Sequence, residues 1–155
     1  MRTVRDLLNA KGREVWSITP DATVFEALQL MADKNVGAVP VIDAGGTLVG
    51  ILSERDYARK VVLRGHTSRE TPVSAIMTAD VVCVPSDMTI DACMGLMTAR
   101  RIRHLPVTED RRTIGIVSIG DVGRAMIENQ GFVIEQLEQY ICGGSVAARV
   151  GSRRP

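Results

Sequence analysis

Short apolar runs and amphipathic stretches alternate along this chain, and the alternation happens twice. Val15 to Ile18 and Val81 to Val84 are brief apolar runs followed by Pro20 and Pro85, which reads as a strand that ends in a turn. Next, Val24, Ala27, Leu28 and Met31 recur at helical spacing, as do Ile90, Cys93, Met94 and Met97, so each half predicts a helix with one buried face. Asp21 or Thr23, and Asp87 or Thr89, are available as N-caps. Two further apolar runs follow in each half. Ala44-Gly45-Gly46 joins the first pair and the charged tip Glu109-Asp110-Arg111-Arg112 the second, which predicts two hairpins. The last run of each pair enters a helix at Ser53 or Ser118.

The halves align residue by residue. Pro20-Asp-Ala-Thr-Val matches Pro85-Ser-Asp-Met-Thr-Ile, and Val36-Gly-Ala-Val-Pro-Val matches Ile102-Arg-His-Leu-Pro-Val. Gly50-Ile-Leu-Ser-Glu-Arg-Asp matches Gly115-Ile-Val-Ser-Ile-Gly-Asp, and the lead-in Val4-Arg-Asp-Leu-Leu matches Val73-Ser-Ala-Ile-Met. Each copy therefore reads helix-strand-helix-strand-strand-helix, a mixed α/β (α+β) unit. One such unit is too small to cover both faces of its sheet. Two copies related by a pseudo-twofold axis are expected to share one core. The expected boundaries are repeat one over 1–65, a linker over 66–72, repeat two over 73–128, a separate C-terminal helix over 129–142 and a flexible tail over 143–155. Gly131 is expected to interrupt the helix that starts at Ile119, and Gly143-Gly144 to stop the one carrying Phe132, Ile134, Leu137, Tyr140 and Ile141. Arg149, Arg153 and Arg154 in the tail read as a solvated end.

Composition narrows the class. The chain has 155 residues, 45% hydrophobic and only 3% aromatic, so the core must be Val, Ile, Leu, Met and Ala. Nineteen Lys and Arg against eighteen Asp and Glu argue against a general nucleic-acid binder, which needs a basic surface. Cys83, Cys93 and Cys142 show no metal-ligand spacing, so they read as reduced thiols and no metal is expected. No apolar run approaches the ~20 residues of a membrane span. A soluble, cytoplasmic protein without a membrane partner is the expectation.

The candidate chemistry lies at the two strand-to-helix junctions. Ser53 and Ser118 bring a hydroxyl and the first unpaired helix N–H groups to the sheet end, a place suited to an anion. Asp56 and Asp121 follow three residues on, where a carboxylate can accept from the hydroxyls of a ribose. The competing reading is a capping box, Ser at the N-cap and an acidic residue at N3. Arg103 and His104 sit at a strand start beside the second junction, where a guanidinium and an imidazolium suit a phosphate. The first copy has the smaller Gly37 and Ala38 there, while Arg100 and Arg101 fit an ordinary basic helix end. No nucleophile, P-loop, HExxH or GxSxG pattern appears, so catalysis is not expected.

These motifs, the apolar-Pro-Val strand and the Gly-x-x-Ser-x-x-Asp junction, resemble the CBS domain, named for cystathionine β-synthase. The chain is similar to small stand-alone bacterial proteins made of one pair of such domains. Ser53-Glu-Arg-Asp-Tyr-Ala-Arg-Lys-Val-Val, Arg103-His-Leu-Pro-Val and Gln136-Leu-Glu-Gln-Tyr-Ile carry that closer likeness. The resemblance implies an adenosine ligand, AMP first, with ADP, ATP, NAD(H) or S-adenosylmethionine as alternatives, in clefts shared by the two copies. It implies a first cleft of Ser53, Arg55, Asp56, Val84, Arg103 and His104, and a second of Thr19, Val24, Gly37, Ala38, Ser118 and Asp121. It also implies a homodimer and a regulatory, signal-transducing role in energy or redox sensing, relayed to an effector protein. The alternatives are a structural dimerisation module with no ligand and a nucleotide-processing enzyme.

Overall fold

The computed structural model describes residues 2–142; the tail expected over 143–155 and the helix stop at Gly143-Gly144 lie outside them. Helix α1 (Val4–Lys11) is followed by α2 (Val24–Lys34), the hairpin β1 (Ala38–Ile42) and β2 (Leu48–Ser53), and α3 (Glu54–Tyr57), which continues as a widened π-helical turn over Ala58–Val62. The second half repeats this as α4 (Val73–Ile76), β3 (Val84–Pro85), α5 (Ile90–Arg100), β4 (His104–Glu109), β5 (Arg112–Ser118) and α6 (Ile119–Cys142).

Local chemistry explains most of these elements. Thr23 and Thr89 are the N-caps, accepting from the backbone N–H of Glu26 and Ala92. Their helices bury Val24, Ala27 and Met31, and Ile90, Cys93 and Met97. In the second hairpin Glu109 pairs with Arg112, and Asp110 and Arg111 both take left-handed backbone, φ 48° and 64°. That is the mirror-image two-residue turn whose twist matches paired strands, here built without glycine. The first hairpin is looser: the Asp43 carboxylate accepts from the N–H groups of Gly45 and Thr47, and Gly46 supplies φ +83°.

Three expectations are corrected. The first strand of each copy shrinks to a two-residue β3 parallel to β4, and in copy one to a single parallel bridge between Ile18 and Val41. Helix α6 does not break at Gly131 but runs unbroken for 24 residues, so no separate helix begins at 129. One glycine costs a helix only ~1 kcal/mol, too little to end it. Finally, the copies do not share one core. Among the described residues there are two cores, and each contains the other copy's lead-in helix.

Val4, Leu7 and Leu8 of α1 are buried with Val84, Ile90, Cys93, Met97, Leu105 and Val107 of copy two. Val73 and Ile76 of α4 are buried with Val24, Ala27, Met31, Val39, Val41 and Leu52 of copy one. The exchange is stitched by matching backbone bonds: Val4 N–H donates to Met88 O at 2.8 Å, and Val73 N–H to Ala22 O at 2.8 Å. Two equivalent glycines make room for it. A Cβ on Gly50 would lie 2.5 Å from Met77 Sδ, and one on Gly115 would lie 2.7 Å from Leu8 Cδ2. Neither copy can complete its core alone, so the pair folds as one interlocked unit.

Candidate functional site

Both junctions form the capping box that the sequence allows. Ser53 Oγ accepts from Asp56 N–H at 3.2 Å, and Asp56 Oδ2 accepts from Ser53 N–H at 3.0 Å. Ser118 Oγ accepts from Asp121 N–H at 3.1 Å, and Asp121 Oδ2 accepts from Ser118 N–H at 2.9 Å. Capping and ligand binding are compatible here, because the cap uses one carboxylate oxygen and leaves Oδ1. The box fixes the carboxylate at the mouth of the sheet end, with its rotamer already set.

The first junction opens on a cavity of about 370 Å³. Copy one contributes Gly37, Ile51, Ser53, Glu54, Arg55 and Asp56; copy two contributes Thr78, Arg101, Ile102, Arg103 and His104. The strand starts of the two copies meet at its floor: a Cβ on Gly37 would lie 3.5 Å from His104 Nε2. Backbone bonds hold both walls, Glu54 N–H to Gly37 O at 3.1 Å and Ile119 N–H to Arg103 O at 2.8 Å. Three arginines, a histidine and two carboxylates line this space. Among the described residues none of Arg55, Arg101 and Arg103 is in an ion pair. An anion entering here meets donors that need not first be released.

Asp56 Oδ1 is held from two sides. Lys60 Nζ lies 3.1 Å away and also donates to Ile76 O at 3.0 Å, and Thr78 Oγ1 donates at 3.4 Å. His104 is mostly buried, and burial is the main cause holding its pKa below 6.5; Lys11 and Arg103 push the same way, against Asp121. The imidazolium expected at this position is therefore a neutral imidazole near pH 7, because the buried site penalises its charged form. Cys83 and Cys93 are free thiols, and burial raises both.

Five of the six residues expected in the first cleft line this cavity, and Val84 does not. It is 1% exposed in the core of copy two, on the strand that pairs with β4. The residues expected in the second cleft fall in different surroundings. Val24 and Ala38 are buried at 0% and 3%, Gly37 faces the first cavity, and Thr19 lies at the turn before Pro20. Asp121 instead borders a smaller cavity of about 190 Å³ between α1 and α6, with Arg2, Lys11, Arg124 and Glu128. Thr78, Lys60 and Arg101 are the residues that local reading missed. Arg101 had a signal: it stands where copy one has Asn35, and both take the left-handed conformation that ends a helix, φ 54°.

The fold and its cavity define a class: a duplicated, interlocked module with a cavity between its copies that is lined by charged residues. The CBS-domain family model matches residues 4–63 and 73–128, and the chain belongs to the CBS-domain family. It is 40% identical over 151 residues to the Arabidopsis thaliana mitochondrial CBS domain-containing protein CBSX3, spanning 92% of this chain and 73% of that one. It is 43% identical to a CBS-domain-containing protein of Agrobacterium tumefaciens of solved structure, with a TM-score of 0.76 over 80% of this chain and 92% of that one. The CBS domain pair of the protein MJ0100, solved in complex with 5′-methylthioadenosine and S-adenosyl-L-methionine, is 26% identical, with a TM-score of 0.74 over 83% of this chain and 98% of that one. Among the described residues no helix is long and apolar enough to cross a membrane.

Proposed function

We propose that this chain is a regulatory module that binds an adenine nucleotide, AMP first among the candidates, in the cavity at Asp56 and does no chemistry on it. One observation carries the reading. One cavity gathers a carboxylate fixed by its capping box, three guanidinium groups that form no ion pair among the described residues, and both copies of the repeat. Asp56 Oδ1 is the acceptor for a ribose hydroxyl, with Lys60 and Thr78 steadying it. Arg55, Arg103, Arg101 and the Ser53 hydroxyl are the donors for the phosphate, and His104 joins them by taking up a proton as the anion arrives. The adenosine compounds bound by the MJ0100 pair support the ligand class.

The ligand touches both copies, so binding favours the arrangement that closes the cavity, and the output is a population shift read by an effector protein. Cytoplasmic placement fits the reduced, burial-raised thiols of Cys83 and Cys93. A homodimer is the assembly we expect. Ile127, Phe132, Ile134, Leu137 and Ile141 on α6 are all more than half exposed and need a cover.

A thermal-shift panel of AMP, ADP, ATP, NADH and S-adenosylmethionine tests the reading. Ligand at 100 times its Kd stabilises by about 2.7 kcal/mol, a readily measured rise in Tm. No rise with any of the five at millimolar concentration contradicts nucleotide binding. Chromatography that shows AMP or ATP converted contradicts the non-catalytic part.

A further inference from the structure

The main helices of the two copies end on the same backbone but on different residues. Helix α2 stops at Asn35 and α5 at Arg101, and both residues are left-handed, φ 54° with ψ 48° and 42°. The same long bond closes both caps: Val36 N–H donates to Met31 O at 3.0 Å, and Ile102 N–H to Met97 O at 3.1 Å. The cap requires a positive φ. Asparagine tolerates that region, whereas in arginine the Cβ crowds the following carbonyl oxygen.

The cap therefore favours the residue of copy one. Arg101 is exposed and makes no ion pair among the described residues. Arg100 already places a cation in the last turn of α5, where the helix dipole favours one. Arg111, also left-handed, stands on the exposed tip of the second hairpin. What sets Arg101 apart is its place: it lines the cavity at Asp56 together with Arg55 and Arg103, and Asn35 does not.

We propose that Arg101 is placed for the ligand and against the fold. Its guanidinium reads the phosphate, and the left-handed cap is where this cavity gives up stability for selectivity towards phosphorylated over unphosphorylated adenosine. This rests on the nucleotide reading of the cavity and names the residue at which ligand and fold pull in opposite directions. Strained backbone held at a binding site is a recurrent arrangement. The neighbouring cations add to the strain, since without an anion three guanidinium groups share one cavity and repel one another.

The test gives copy two the residue that copy one already carries. Arg101→Asn in the full chain should raise the Tm of the ligand-free protein by about 2–4 °C, the shift expected in a domain of this size when one left-handed side chain is relieved. In calorimetric titration the same variant should bind AMP about tenfold more weakly, as the loss of a hydrogen bond to a charged group does. Adenosine, which carries no phosphate, should bind both proteins alike. Arg101→Gly, free of the steric cost altogether, should show the same two shifts. A residue that serves only the cap would change Tm and leave the preference for AMP over adenosine where it was. A fall in Tm, or an unchanged preference, overturns the proposal and leaves the nucleotide reading standing. No AMP bound by the wild type overturns the nucleotide reading, and the role of Arg101 falls with it.

Discussion

At Asp56 and at Asp121 the same junction, Ser-x-x-Asp entering a helix, meets different company. Around Asp56 the partner copy brings a hydroxyl, Lys60 of the same copy brings the ammonium, and the cavity is lined by arginines that form no ion pair among the described residues. Around Asp121 the partner copy brings the ammonium that binds the carboxylate. Burial pushes the Asp121 pKa up, but the hydrogen bonds from Lys11 and from Ser118 N–H outweigh it and hold the carboxyl below its ordinary 3.8. Duplication copied the junction, but the ammonium comes from the other copy's longer lead-in helix at Asp121 and from the same copy at Asp56.

The largest expected effect tests the exchange that underlies both junctions. Leu8 is fully buried in the core of the other copy, so Leu8→Ala should destabilise the whole pair by roughly 2–5 kcal/mol in chemical denaturation. A much smaller loss, or one confined to residues 2–12, would mean that α1 is an appendage. Next comes Asp56→Ala, which should weaken AMP binding by on the order of 1.5–3 kcal/mol, the worth of hydrogen bonds to a charged group. Arg59→Ala, exposed on the flank of the same helix, should change it far less; equal effects would move the ribose away from Asp56. Arg103→Ala sharpens the assignment further: it should lower affinity for AMP but leave adenosine, which has no phosphate, nearly unchanged. Loss of both alike would place Arg103 against the base or sugar.

The smallest effect is in pH. Folded-state burial depresses the pKa of His104, so above pH 6.5 its imidazole is neutral in both folded and unfolded chains and costs nothing. As pH falls below 6.5 the unfolded chain takes the proton first, and the unliganded protein loses stability. His104→Asn should remove that part of the acid slope. An anion in the cavity reverses the penalty, so AMP binding should take up a proton and tighten from pH 8 towards pH 6.

Much of this was legible in the residues. The duplicated blocks located both junctions, and Ser53 with Asp56 and Ser118 with Asp121 placed the capping boxes. Periodicity found α2 and α5 because their buried faces are local patterns. The exchange was not legible that way, since the spacing of Val4, Leu7 and Leu8 says that a face is buried but not by which copy. Gly50 and Gly115 held the missing signal: equivalent glycines within strands mark a close approach, and what approaches is the other copy's lead-in. Val84 was placed at the cleft because it precedes Pro85, yet its side chain points to the core. The second cleft was drawn as a mirror of the first, but Gly37 and Asp121 border different cavities.

The central claim is most directly tested by mapping AMP onto the chain with amide chemical shifts. The account predicts one saturable set of shifts at Gly37, Ser53 to Asp56, Thr78 and Arg101 to His104, with Ser118 and Asp121 barely moved. Saturable shifts centred on Asp121, or none at millimolar AMP, would contradict it.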